Sequence, residues 1–82
     1  MILTDIYVPA LNETYDFQLE ETVPVDMIRE EIVEVLKKKA GGPLRKDQHP
    51  FFLCSYEKQE ILNGSLTLQE CGIKNGSRLM IV

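Results

Sequence analysis

Eighty-two residues, 44% hydrophobic and 27% charged, fit one domain around a single core and exclude a disordered or fibrous chain. The formal net charge of −4 argues against a nucleic-acid binder. The longest apolar run, Leu79 to Val82, is far short of the roughly 20 residues that span a bilayer.

"ILTDIYV" mixes β-branched and aromatic residues and predicts a first strand, although Thr4 and Asp5 interrupt its apolar pattern and leave its faces open. "PALNE" supplies Pro9 and Asn12 for a connection of hairpin length. "TYDFQLE" alternates, with Tyr15, Phe17 and Leu19 on one face and Thr14, Asp16, Gln18 and Glu20 on the other. These segments form an antiparallel hairpin with one wet face.

From Val25 the period lengthens to about 3.6, and Val25, Ile28, Ile32, Val35 and Leu36 fall at helical spacing. Pro24 suits the first helical turn, where an amide N–H would have no partner. Asp26, Glu30 and Glu31 lie early and Lys37, Lys38 and Lys39 late, as the helix dipole favours. Gly41 and Gly42 can end the helix in the left-handed conformation, and Pro43 prevents its continuation.

"PLRKDQHP" reads as a loop, "FFLCSY" as a third strand and "EKQEIL" as a turn with a short strand. "NGSLTLQECGI" reads as a compact connection holding one helical turn. Asn75-Gly76 marks a turn before a last strand in "SRLMIV". Residues 1–82 are thus expected to form one α+β domain, a β-grasp in which one helix covers a mixed sheet of four to five strands. The last strand is placed centrally, parallel to the first, by a right-handed crossover.

Charge is unevenly spread. Asp5, Glu13, Asp16, Glu20, Glu21, Asp26, Glu30, Glu31 and Glu34 face a single base, Arg29, in residues 1–34, whereas Lys37, Lys38, Lys39, Arg45 and Lys46 crowd one window. Those five bases are a candidate surface whose simplest reading is a solvated helix end. The acidic start is the reverse of a secretory signal, so the expected location is cytoplasmic, without membrane insertion. Cys54 and Cys71 lack a second pair or a histidine at zinc-ligand spacing and read as buried reduced thiols; no metal or cofactor is expected. His49 precedes Pro50 in a loop with no sequence-level partner for either thiol, so no catalytic residue is assigned.

"TVPVDMI" and "ILNGSLTLQECGIKNGSRLMIV", with the helix between, resemble ubiquitin in order and spacing. They are more similar still to the YukD-like (EsaB-like) proteins of the type VII (ESX-like) secretion systems of Gram-positive bacteria. The L-x-x-C-G-I-x-N-G-x-R-L ending of that group stands here at Leu68 to Leu79. The resemblance implies a ubiquitin-like fold and a protein partner in the cytosolic part of a secretion apparatus. Leu68, Ile73, Leu79 and Ile81 read as core, with Gly72 and Gly76 in tight turns. If Leu79 and Ile81 face inward, alternation turns Met80 and Val82 outward beside whichever of Phe51 and Phe52 is not buried, a candidate protein-binding patch.

Ubiquitin-type modifiers and sulfur carriers present a flexible Gly-Gly end. Here the sequence closes on Met80-Ile81-Val82, and its one Gly-Gly pair is Gly41-Gly42. The expected function is therefore a non-catalytic, non-conjugated adaptor or regulator acting by protein binding. The alternatives are a diverged modifier or sulfur carrier, a generic ubiquitin-like scaffold, or a homodimer that covers the apolar patch.

Overall fold

The computed structural model describes residues 1–41 and 51–82. Strands β1 (Ile2–Val8) and β2 (Glu13–Leu19) pair antiparallel from Ile2↔Leu19 to Val8↔Glu13. Helix α1 (Val25–Ala40) follows, then β3 (Leu53–Ser55), β4 (Glu60–Ile61) and β5 (Arg78–Ile81). The five strands form one sheet in the order β2-β1-β5-β3-β4, with β5 parallel to β1 and antiparallel to β3.

The faces of β1 that the sequence leaves open are settled by Thr4. It turns inward between Ile2 and Ile6 and is 1% exposed, its hydroxyl donating to the Phe17 carbonyl oxygen at 3.4 Å. Leu3, Asp5 and Tyr7 therefore take the other face of the sheet.

Helix α1 buries Val25, Ile28, Ile32 and Leu36. Val35, expected with them, is 39% exposed. The buried positions advance in steps of three and four, and Val35 falls beside Ile28 at the edge of that stripe, about 65° from its centre, where the face turns to solvent. Pro24 lies one position earlier than expected, at the N-cap, with φ −59° and ψ 144°. No side chain caps this end; the first free amides donate elsewhere, Val25 N to the Leu66 carbonyl at 2.8 Å and Asp26 N to that of Gly64 at 3.1 Å. The loop after β4 thus serves as the cap. At the other end Gly41 takes φ 75°; Gly42 and Pro43 lie outside the described residues.

"FFLCSY" gives a strand of only three residues, yet its ladder is longer. Phe52 and Val82 exchange backbone hydrogen bonds of 2.7 and 3.0 Å, and Tyr56 N donates to Arg78 O at 3.0 Å. The helical turn expected before β5 is a single α-turn closed at both ends. Thr67 and Glu70 form a reciprocal capping box, Glu70 N donating to Thr67 Oγ1 and Thr67 N to Glu70 Oε1, both at 3.0 Å. Cys71 N reaches Thr67 O at 3.0 Å, Gly72 N reaches Gln69 O at 3.1 Å, and Ile73 N reaches Leu68 O at 2.9 Å. With Gly72 at φ 78°, this is a Schellman ending, and its usual apolar contact is supplied by Leu68 and Ile73, both buried.

Asn75 and Gly76 then do more than turn the chain. Asn75 Oδ1 accepts from Leu3 N at 2.7 Å, Gly76 N donates to Leu3 O at 2.8 Å, and Asp5 N donates to Ser77 O at 3.2 Å. The turn docks on β1 and continues the parallel ladder into β5.

Leu36→Ala should lower unfolding free energy by about 2–5 kcal/mol and Val35→Ala by less than about 1 kcal/mol, checked by urea denaturation. Comparable losses would move Val35 into the core. Gly72→Ala should cost about 1–2 kcal/mol, since a Cβ there meets a left-handed φ and would lie 3.1 Å from Lys58 Nζ.

Candidate functional site

The parity of β5 separates core from surface. Leu79 and Ile81 are each 1% exposed within the hydrophobic cluster, and Met80 and Val82, half-buried, alternate onto the opposite face. On either side the registers bring Tyr7 and Cys54 against Met80, and Ile61 against Cys54. The row Tyr7–Met80–Cys54–Ile61 thus crosses four strands on the sheet face away from α1. Phe52, 39% exposed, pairs with Val82 in the next row. Phe51 packs against the core instead, with its carbonyl accepting from Arg29 Nη1 at 3.1 Å. Of the two phenylalanines, Phe52 joins Met80 and Val82.

Ile61 (60% exposed) and Tyr56 (46%) extend the apolar surface. Neither stands out in the sequence, because β4, which carries Ile61, has two residues and β3, which Tyr56 follows, has three, too few for an alternation to be read. Cys54 forms the floor of a depression of about 290 Å³ walled by Tyr56, Ile61 and Met80. Its thiol is free, and burial pushes its pKa up, which disfavours the reactive thiolate. Cys71, also free, is half-buried against the core.

A second depression, of about 410 Å³, shares Tyr56 and is lined also by Asp5, Tyr7, Thr14 and Arg78. Asp5 lies directly opposite Asp16 on β2 and opposite Arg78 on β5. The Asp5 carboxyl is raised above its ordinary pKa, first by a side-chain hydrogen bond with Asp16, with desolvation and Asp16 repulsion adding and Arg78 opposing. Arg78 is shared, its Nε 3.8 Å from Glu57 Oε2 and its guanidinium 5.7 Å from the Tyr56 ring centre.

Lys37, Lys38 and Lys39 are exposed on the last turn of α1, with Lys39 Nζ 4.9 Å from the Tyr15 ring centre. Arg45, Lys46 and His49 lie outside the described residues. Among the described residues no group of three or more His, Cys, Asp or Glu could hold a metal ion, and no helix is long and apolar enough to cross a membrane.

A family model described as "WXG100 protein secretion system (Wss), protein YukD" matches residues 3–81. Curated proteins give no significant match. Among solved structures, the EccD5 ubiquitin-like domain from Mycobacterium xenopi is similar with a TM-score of 0.81 at 19% identity, over 99% of this chain and 91% of that one. The ubiquitin-like domain of the Mycobacterium tuberculosis type VII secretion protein EccD1 gives 0.73 at 21% identity, over 100% and 99%. A chain of the MycP5-free ESX-5 inner membrane complex gives 0.80 at 19% identity, over 99% of this chain but 20% of that one. These likenesses establish the ubiquitin-like fold.

Asp5, with its folded-state pKa raised, contributes stability that is full below its unfolded pKa and is lost as pH rises through the folded value. Asp16→Asn removes the like charge, so it should raise Tm relative to the parent at neutral pH, and the gain should shrink or reverse in acid. Thermal melts of both proteins across that window check the sign, and a gain independent of pH would contradict it.

Proposed function

The chain belongs to the YukD family of the WXG100, or type VII, protein secretion system, and we propose that it acts there as a non-catalytic adaptor or regulator by binding a protein partner. The observation that carries this reading is the apolar surface of Phe52, Met80, Val82, Ile61 and Tyr56 on the sheet face away from the helix. Exposed apolar side chains gathered on one face mark interaction sites. The solved structures add support, since one similar chain is part of a secretion membrane complex. We place the partner in the cytosolic part of the apparatus.

The chemistry of the thiols fits binding better than turnover. Cys54 is 7% exposed with its pKa pushed up by burial, the opposite of an activated nucleophile. Residues 78–82 are held in the sheet, Val82 included through its paired hydrogen bonds to Phe52, so this stretch is not presented as a free conjugating tail.

Met80→Asp and Val82→Asp should each weaken capture of the native partner by about tenfold or more while leaving the circular dichroism spectrum unchanged. Loss of the folded state would show these side chains to be core. Deleting the gene should change secretion of the system's substrates, and unchanged secretion with the apparatus active would overturn the role. Adducts or a thiocarboxylate in the intact mass of protein from cells would revive the modifier reading.

A further inference from the structure

We infer that the outer sheet face receives a cationic amphipathic helix of the partner. This rests on the binding role proposed above and adds to it the shape and charge of the occupant.

Shape comes first. The apolar row from Tyr7 through Met80 and Cys54 to Ile61 runs across the strands, a span of about 14 Å at the usual inter-strand spacing of about 4.8 Å. A peptide adding as a strand would need an edge, and on this side the edge is β4, only two residues long. A helix laid across the strands places residues i, i+4 and i+7 over about 10.5 Å and i+11 at about 16.5 Å, so three to four successive anchors on one helix face cover the row. Depressions of about 290 and 410 Å³ are both bordered by Tyr56, the first lined also by Cys54, Ile61 and Met80 and the second by Asp5 and Arg78, so one can take an apolar anchor and the other a polar one.

Charge then selects the polar side chain. The second depression contains Asp5, which faces Asp16 across the strand pair, and Glu60 lines the first. Among the described residues Arg78 is the base in this area, and Glu57 lies against it, its carboxylate accepting from Arg78 N at 3.1 and 3.2 Å as well as facing Nε. The lysine Lys58 is turned away, its Nζ donating to the Cys71 carbonyl oxygen at 2.9 Å. Among the described residues, Asp5 and Asp16 are therefore the acidic surplus beside the apolar row. Like charges set directly opposite across a strand pair are unfavourable, and a partner's lysine or arginine relieves that repulsion on docking. A second copy of this chain brings the same acids against themselves, so the charge disfavours a symmetric dimer through this face.

The test uses the whole chain, ¹⁵N-labelled, titrated with two synthetic helical peptides of identical leucine stripe whose polar faces are lysine and arginine in one and glutamate in the other. The cationic peptide should shift the amides of Tyr7, Tyr56, Ile61 and Met80, and its affinity should fall as salt is raised from 50 to 500 mM. Asp5→Asn combined with Asp16→Asn should weaken it about two- to tenfold, and Met80→Asp should abolish it. Equal binding of the anionic peptide, with Met80→Asp still blocking both, would overturn the charge assignment and leave the face as a docking site. Shifts on another surface, or no binding by either peptide at millimolar concentration, would overturn the inference, while partner capture judges the adaptor role separately. Concentration-dependent shifts of the same amides without peptide would make a second copy the occupant and overturn it as well.

Discussion

The parallel pairing of β1 with β5 is the constraint on which the rest of this structure depends. The two strands come from opposite ends of the sequence, yet Asp5, Ile6 and Tyr7 lie against Arg78, Leu79 and Met80 at the centre of the sheet. Parallel neighbours cannot be joined by a tight turn; they need a crossover, and α1 is carried on it. The helix stripe of Val25, Ile28, Ile32 and Leu36 and the inward side chains of β1 and β5 then bury one another. Such a non-local contact closes a long loop before it is rewarded, so the return of the chain has to be well specified.

The segment from Asn63 to Ser77 supplies that specification. Gly64 and Leu66 lend their carbonyls to the start of α1, which has no side-chain cap of its own. The capped α-turn from Thr67 to Ile73 fixes Leu68 and Ile73 in the core, and Asn75 and Gly76 bond to Leu3 just before β5 begins. The spacing L-x-x-C-G-I-x-N-G-x-R-L from Leu68 to Leu79 thus has a physical content at nearly every named position. Leu68 and Ile73 close the turn, Gly72 supplies the left-handed residue, Asn75 replaces a backbone acceptor on β1, and Leu79 enters the core. Cys71 contributes its carbonyl to Lys58 while its side chain rests on the core edge.

How much of this could be read in the sequence follows from how local each signal is. The clean alternation of β2, the helical period of α1, the left-handed end at Gly41 and the inward parity of Leu79 and Ile81 are all set by neighbours within a few residues. Thr4 defeated the pattern on β1, because a buried hydroxyl is admissible only once the Phe17 carbonyl is known to lie within reach. Helical periodicity tolerates one position of drift, which is why it puts Val35 with the core residues although the chain leaves it at the exposed edge of the stripe. The short β3 hid its faces for another reason: Phe51 and Phe52 are adjacent aromatics, and only the pairing of Phe52 with Val82 decides which of them faces outward. Ile61, Tyr56 and the Asp5–Asp16 pair joined the site through registers between strands distant in sequence, which no local pattern encodes.

That same register makes β5 the element that separates the core from the outer sheet face. Its odd positions, Leu79 and Ile81, are held in the core by contacts that a partner cannot reach, whereas Arg78, Met80 and Val82 touch what lies outside. Because β5 is hydrogen-bonded on both sides, to β1 and to β3, its backbone cannot shift to accommodate a ligand without breaking two ladders. The outer face is consequently a preformed surface, and adaptation at its edge falls to the side chains of Tyr56, Ile61 and Phe52. A rigid centre with adjustable rim side chains is what the proposed binding role asks of this face, because a partner can be met there while the core remains undisturbed.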